Sequence, residues 1–173
     1  YKDRGFETIT TNPCGEIPLS AYDSCRLISI NLKHLVDNPF ENDAEFNFAK
    51  LGEIARMGMR LSDDLVELEI EKLDHLIQSC DTPDETKLWT SLLNACISGR
   101  RTGLGTHGLA DAIARLGLRY DSDEAITVIE KIYETTRNAA YYESVRLAQE
   151  RGAFSVFDWE LEKNNHYIQR LPD

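Results

Sequence analysis

The chain has 173 residues, enough to bury a core of its own, and its 42% hydrophobic and 28% charged residues exclude general disorder. The formal charge is −11 with Lys and Arg dispersed. That disfavours a nucleic-acid-binding surface, because such affinity comes from neutralising phosphates with basic side chains. No stretch approaches the roughly 20 apolar residues of a membrane span and no signal-peptide pattern opens the chain.

In chain order, Glu7-Thr8-Ile9-Thr10-Thr11 is rich in β-branched residues and predicts a short strand. Asn12-Pro13 ends it, since the residue before proline is pushed out of the helical region. A loop with Pro18, Ser20, Tyr22 and Asp23 follows, and then a second extended run from Leu27 to Leu32. From about Phe46 to Ile77 the apolar residues Phe48, Leu51, Ile54, Ala55, Gly58, Leu61, Leu65, Leu68, Leu73 and Leu76 recur at helical spacing. Ser62-Asp63-Asp64 is a candidate bend or restart within it. Thr82-Pro83-Asp84-Glu85 combines a capping threonine, a proline suited to the first helical position and a capping-box glutamate, predicting a helix to about Ser98. Gly103 to Gly108 interrupts the helices, and Leu109 to Leu116 reads as helix again. Asp121-Ser122-Asp123-Glu124 repeats the capping-box pattern and opens a long amphipathic helix to Arg151, stopped by Gly152. One further short helix is expected between Phe154 and Asp173. The sum is a predominantly helical α/β chain with two to four short strands, one segment over residues 1–173 with no internal linker or repeat.

Cysteines fall at 14, 25, 80 and 96 without a C-x-x-C pair, which fits a reducing compartment and a cytoplasmic location better than a disulfide scaffold. Cys80 and Cys96 lie within predicted helices and read as packing residues. The histidines at 34, 75, 107 and 166 are scattered, so no metal site is expected. Asn12, Cys14 and Glu16 are spaced i, i+2, i+4, so in an extended segment an amide, a thiol and a carboxylate would face one side. A thiol between a proton acceptor and a hydrogen-bond donor is a plausible reaction centre. The competing reading of the same residues is a buried small cysteine beside an ordinary Asn-Pro turn.

The stretch Thr11-Asn12-Pro13-Cys14-Gly15-Glu16-Ile17-Pro18-Leu19, followed by Tyr22-Asp23-Ser24-Cys25-Arg26-Leu27-Ile28-Ser29-Ile30-Asn31-Leu32, resembles the catalytic finger loop of ribonucleotide reductases. A second match, Arg100-Arg101-Thr102-Gly103-Leu104-Gly105-Thr106-His107-Gly108-Leu109-Ala110-Asp111, resembles a strand-to-helix segment of the same family, and Leu116 to Ala125 continues it. The resemblance covers roughly residues 7 to 160. It implies part of a ten-stranded α/β barrel, in which Cys14 becomes the thiyl radical that abstracts the ribose 3′-hydrogen. Glu16 would then be the general base for the 3′-hydroxyl, Asn12 a hydrogen-bonding partner of the substrate hydroxyls, and Cys25 one of two reducing thiols. The implied substrate is a ribonucleoside di- or triphosphate, reduced to supply DNA synthesis. The implied partners are the remainder of the reductase and a thioredoxin-like reductant, with neither nucleic acid nor membrane among them. The N-P-C-G-E wording is closest to adenosylcobalamin-dependent members, with a separate metal-radical subunit as the alternative source of the radical. No residue is assigned to holding the cofactor.

The resemblance is incomplete. The partner of Cys25, the family's P-T-x-x-x-S phosphate loop and its C-terminal shuttle cysteines have no counterpart in these residues. The chain also opens Tyr1-Lys2-Asp3-Arg4 without Met. A fragment that lacks turnover on its own is therefore expected. Two other readings compete. Gly103-x-Gly105-x-x-Gly108, with Asp121, Asp123 and Glu124 downstream, fits a dinucleotide fingerprint, although a predicted helix rather than a long apolar strand precedes it. A helical interaction module without chemistry would treat Asp63-Asp64 and Glu67-Leu68-Glu69 as a solvated face, and Tyr120, Tyr133, Tyr141 and Tyr142 as core or rim residues.

Overall fold

A computed structural model describes residues 6–172, so the opening Tyr1–Arg4 lies outside them. The strands are β1 (Thr10–Thr11), β2 (Pro18–Leu19), β3 (Arg26–Asn31), β4 (Val36–Asp37), β5 (Glu45–Phe46) and β6 (Thr102–His107). The α-helices are α1 (Phe48–Gln78), α2 (Pro83–Gly99), α3 (Leu109–Arg115), α4 (Asp123–Arg151) and α5 (Trp159–Glu162), with short 3-10 turns at Leu32–Leu35 and Ile168–Arg170. Helix dominates as expected, but the described residues form six strands, more than the two to four predicted. They pair as β1–β2, β3–β6 and β4–β5. The additional ones are two-residue strands, too short for an alternating pattern to register.

The chain divides into two compact units, each drawing on separated stretches of sequence. In the unit formed by residues 27–61 and 104–147, Ile30, Leu32, Leu35, Val36, Phe46, Leu51, Ala55, Ala112 and Ile132 make the core. Asn47 caps α1 by accepting from the Lys50 amide at 2.9 Å, and its own amide donates to the Leu35 carbonyl at 2.8 Å. The helix therefore starts where the β4–β5 hairpin ends. Gly108 joins β6 to α3 at φ +71°, and a β-carbon there would stand 2.8 Å from Asn31 Oδ1. Both the backbone region and the missing side chain make glycine necessary at this corner. Gly103 and Gly105, by contrast, lie within β6 rather than in a turn before a helix, and α3 has only seven residues. The dinucleotide reading fails on that placement, because its glycines must form the phosphate-cradling turn.

Among the described residues the other unit comprises 6–26, 62–103 and 148–171. Its core gathers Val66, Leu73 and Cys96, with Ile70, Trp89, Leu92 and Leu93 packed against them. The expected capping box is formed in full: Glu85 N donates to Thr82 Oγ1 at 3.3 Å, and Thr82 N donates to Glu85 Oε2 at 3.3 Å. At α4 the cap falls one residue later than the predicted box, with Ser122 Oγ accepting from Ala125 N at 3.2 Å.

Helix α1 is continuous for 31 residues, so no new helix starts at Ser62-Asp63-Asp64. Ser62 and Asp63 are buried, while Leu61 and Leu68 of the predicted apolar stripe are more than half exposed. The reason is electrostatic. Asp63 Oδ1 accepts from Arg100 Nη2 at 2.7 Å and its Oδ2 from Arg151 Nη1 at 2.6 Å, while Asp64 pairs with the other arm of Arg151 at 2.6 Å. Glu67 pairs with Arg100 and Glu69 with Arg26. The acidic run thus binds arginines through a buried Asp63, while Asp64, Glu67 and Glu69 remain partly solvated as expected.

Candidate active site

The residues Asn12-Pro13-Cys14-Gly15 satisfy the preferences of a type I turn, with Asn first, Pro second and Gly fourth. The turn forms: Gly15 N donates to the Asn12 carbonyl at 2.9 Å, and Gly15 adopts φ +80°. It is the tip of the β1–β2 hairpin, whose register pairs Thr10 with Leu19 and Thr11 with Pro18. Asn12 N donates to the Ile17 carbonyl at 3.2 Å, and Ile17 N donates to Asn12 Oδ1 at 2.9 Å. The expectation of an extended segment presenting Asn12, Cys14 and Glu16 along one side is therefore corrected. The three sit on a closed loop, in which the Asn12 side-chain oxygen accepts from Ile17 N while its amide N–H groups make no hydrogen bond within the loop. Cys14 and Glu16 are exposed and Asn12 is half-buried.

Cys25 lies beyond the hairpin, immediately before β3, and is half-buried. All four cysteines are free thiols. Burial pushes the Cys25 thiol up. Arg26 and Arg101 pull it back, and Asp23 and Glu16 add to the rise. The hairpin tip and Cys25 belong to the same unit.

Sequence reasoning missed the charged frame around Cys25. Asp23 accepts from Ser24 N at 2.9 Å, and its Oδ2 lies 2.8 Å from Arg101 Nε with the side chain 2% exposed. That contact is an ion pair without directed hydrogen-bond geometry, since Oδ2 has no hydrogen-bond partner by angle. The buried Ser20 hydroxyl also lacks a partner, and both residues line a cavity of about 220 Å³ with Phe6, Asn94 and Ser98. Arg26 donates to Glu69 Oε2 at 2.6 Å and to Cys96 Sγ at 2.9 Å. Cys96 is buried in the core, as a packing residue should be, and burial likewise pushes its thiol up. Cys80 lies just beyond α1 and not within a helix as expected; it is half-buried, its thiol donating to the Leu76 carbonyl at 3.2 Å. The signal available in advance was charge on both sides of one cysteine, Asp23-x-Cys25-Arg26, with an Arg-Arg pair elsewhere.

The remaining predicted residues lie apart from chemistry. His107 Nδ1 is hydrogen-bonded to Ser29 Oγ at 2.9 Å, and Tyr133 OH to Thr106 Oγ1 at 3.0 Å. Tyr120, Tyr133, Tyr141 and Tyr142 are all exposed. A cavity of about 390 Å³ in the unit built on residues 27–61 and 104–147 is lined chiefly by apolar residues, among them Ile28, Ile30 and Ile54. Among the described residues no cluster of three or more His, Cys, Asp or Glu could seat a metal ion, and no helix is long and apolar enough to cross a membrane.

The described residues form a mixed helix–strand segment with a free thiol, Cys14, at a hairpin tip. Comparison with known proteins makes this specific. Residues 4–171 match the family model described as "Ribonucleotide reductase, barrel domain", and the chain belongs to that family. It is 35% identical over 147 residues to a vitamin B12-dependent ribonucleoside-diphosphate reductase of Mycobacterium tuberculosis, covering 85% of this chain and 18% of that protein. A reductase of the same description from Thermoplasma acidophilum is 32% identical over 157 residues, 88% of this chain and 18% of that protein. A ribonucleoside-diphosphate reductase large chain of Neurospora crassa is 29% identical over 153 residues, 86% of this chain and 14% of that protein. The chain therefore spans about a fifth or less of the length of the relatives it matches.

Proposed function

We propose that this chain is the finger-loop portion of a ribonucleotide reductase catalytic barrel, reducing ribonucleoside diphosphates to their deoxy forms by thiyl-radical chemistry. The observation that carries the reading is the exposed Cys14 on a hydrogen-bonded hairpin tip in a chain that matches the reductase barrel family.

In this mechanism Cys14, as a thiyl radical, takes the ribose 3′-hydrogen. Glu16 accepts the 3′-hydroxyl proton, and the Asn12 side-chain amide N–H groups orient the hydroxyls while its oxygen holds the loop closed. Water leaves from C2′. Cys25 and a second thiol then supply two electrons and two protons, becoming a disulfide that a thioredoxin-like reductant reopens. Hydrogen returns from Cys14 to C3′, regenerating the radical. A radical on sulfur demands exclusion of water, so further barrel elements must cover the hairpin tip in the working enzyme.

Adenosylcobalamin is the proposed radical source, supported by identities of 35% and 32% to the B12-dependent relatives against 29% to the Neurospora large chain. When bound, it would supply the one-electron oxidant for the Cys14 thiol. The residues present fit it at that point only: the thiol is accessible on a turn where a β-carbon at Gly15 would meet nothing within 4 Å. No residue here is assigned to holding the corrin.

The test is Cys14→Ala in the reductase that carries this segment, with deoxynucleotide formation measured with and without added adenosylcobalamin. Activity at background in the variant is expected. Retained activity would sink the reductase reading in favour of a non-catalytic helical module, and full parent activity without adenosylcobalamin would assign the radical to a separate subunit.

A further inference from the structure

Cys25 is flanked by residues that converge on one side chain. Arg101, in the turn between α2 and β6, donates from Nη1 to the Pro18 carbonyl at 2.7 Å. Its Nε stands 2.8 Å from Asp23 Oδ2. Its own carbonyl accepts from Arg26 N and Arg26 Nη1, each at 3.4 Å. Its guanidinium carbon lies 5.7 Å from the centre of the Phe6 ring.

We propose that Arg101 is a positioning residue for the Cys25 thiol, fixing the chain on both sides of that cysteine together with the base of the hairpin that carries Cys14. The guanidinium fork reaches Pro18 and Asp23, and the main-chain carbonyl of the same residue takes Arg26, so Arg101 ties the hairpin's last strand and the residues on both sides of Cys25 to one point. A surface ion pair of negligible weight is the competing reading. The Asp23 side chain is 2% exposed, so without Arg101 its carboxylate would be left buried and unpaired, which is costly. Lysine cannot substitute, because a single ammonium lacks the rigid fork that reaches two acceptors at once.

The charges facing Cys25 are Arg26 and Arg101 on the cationic side and Asp23 and Glu16 on the anionic side. Losing Arg101 removes a cation and releases an anion, and both changes disfavour the thiolate. The meaning of this for catalysis rests on Cys25 being a reducing thiol, whereas its measurement requires no turnover.

The experiment is alkylation of the whole protein with iodoacetamide from neutral to alkaline pH, resolved cysteine by cysteine through peptide mass spectrometry. Exposed Cys14 serves as the internal reference and buried Cys96 reports that the fold persists. In Arg101→Gln the Cys25 alkylation midpoint should move to higher pH and its neutral-pH rate fall several-fold against Cys14. In Arg101→Lys, which keeps the charge, the midpoint should stay near the parent's. Its limiting alkaline rate at Cys25 should nevertheless rise several-fold as the segment loosens. An unmoved midpoint in Arg101→Gln with Cys96 protected, or an unchanged limiting rate in Arg101→Lys, overturns the proposal. Should Cys96 become reactive in Arg101→Gln, the Arg101→Lys rate decides alone. Retained turnover in Cys14→Ala would defeat the reductase assignment while leaving this result intact.

Discussion

Asp63 shows how a single polar residue can redirect a helix face. It is buried, its two oxygens are divided between Arg100 and Arg151, and these contacts draw together the middle of α1 and the ends of α2 and α4 within one unit. The arginine partners respond as strongly hydrogen-bonded cations, since carboxylate contacts hold the Arg100 and Arg151 guanidiniums above their ordinary range despite desolvation. Asp63→Asn keeps the shape but leaves Arg100 and Arg151 with only their more exposed partners, Glu67 and Asp64. The expected cost is about 2 kcal/mol, less than for stranding a fully buried charge. A urea midpoint that implies a loss under about 1 kcal/mol would show the network to be dispensable.

At the scale of elements, the helices differ in what holds their ends. Helix α1 buries Leu51, Ala55, Ser62, Val66 and Leu73 along its length, so tertiary packing carries it. Helix α2 begins differently: Pro83 to Leu88 are exposed, and its first turn depends on the Thr82–Glu85 box and on Asp84 and Glu85 near the positive end of the helix. Thr82→Ala should therefore destabilise the protein by about 1 kcal/mol, the usual worth of an N-cap. Hydrogen exchange should quicken in that first turn alone, and uniform quickening along α2 would contradict a local role. The hairpin shows the same dependence on local chemistry, since its tip is a turn dictated by Asn-Pro-Cys-Gly and needs no neighbour to close.

For the molecule as a whole, two thiols couple stability to pH. Burial raises both Cys25 and Cys96 above the ordinary thiol range. In the unfolded chain such thiols lose their protons near pH 8.5. The folded state holds them to higher pH, so this contribution to stability is complete below about pH 8.5 and is lost as pH rises through the raised folded values. Thermal denaturation is expected at lower temperature at about pH 10 than near neutrality. The gap should narrow in Cys25→Ser, which carries no titrating thiol, and an identical gap in that variant would refute the linkage at this site. Charge elsewhere is arranged for cohesion: the −11 chain sets several of its arginines against carboxylates within a single unit.

Much was determined by sequence alone, because it depends on neighbours a few residues away. The Thr82 box, the glycine stop at Gly152, the helical periods and the turn at Asn12-Pro13 are local, and the family resemblance carried by the Cys14 loop and the Arg100-Arg101 segment is a matter of residue order. The tertiary structure decided what depends on contacts between distant stretches. It turned the N-P-C-G-E stretch from an extended strip into a hairpin tip and removed the dinucleotide reading by placing Gly103 and Gly105 inside a strand. It reversed the face of α1 at Asp63 because arginines 37 and 88 residues away claim that carboxylate. It also surrounded Cys25 with charges from Asp23, Arg26 and Arg101, a frame invisible to periodicity because side chains some 75 residues apart meet only when the chain is folded.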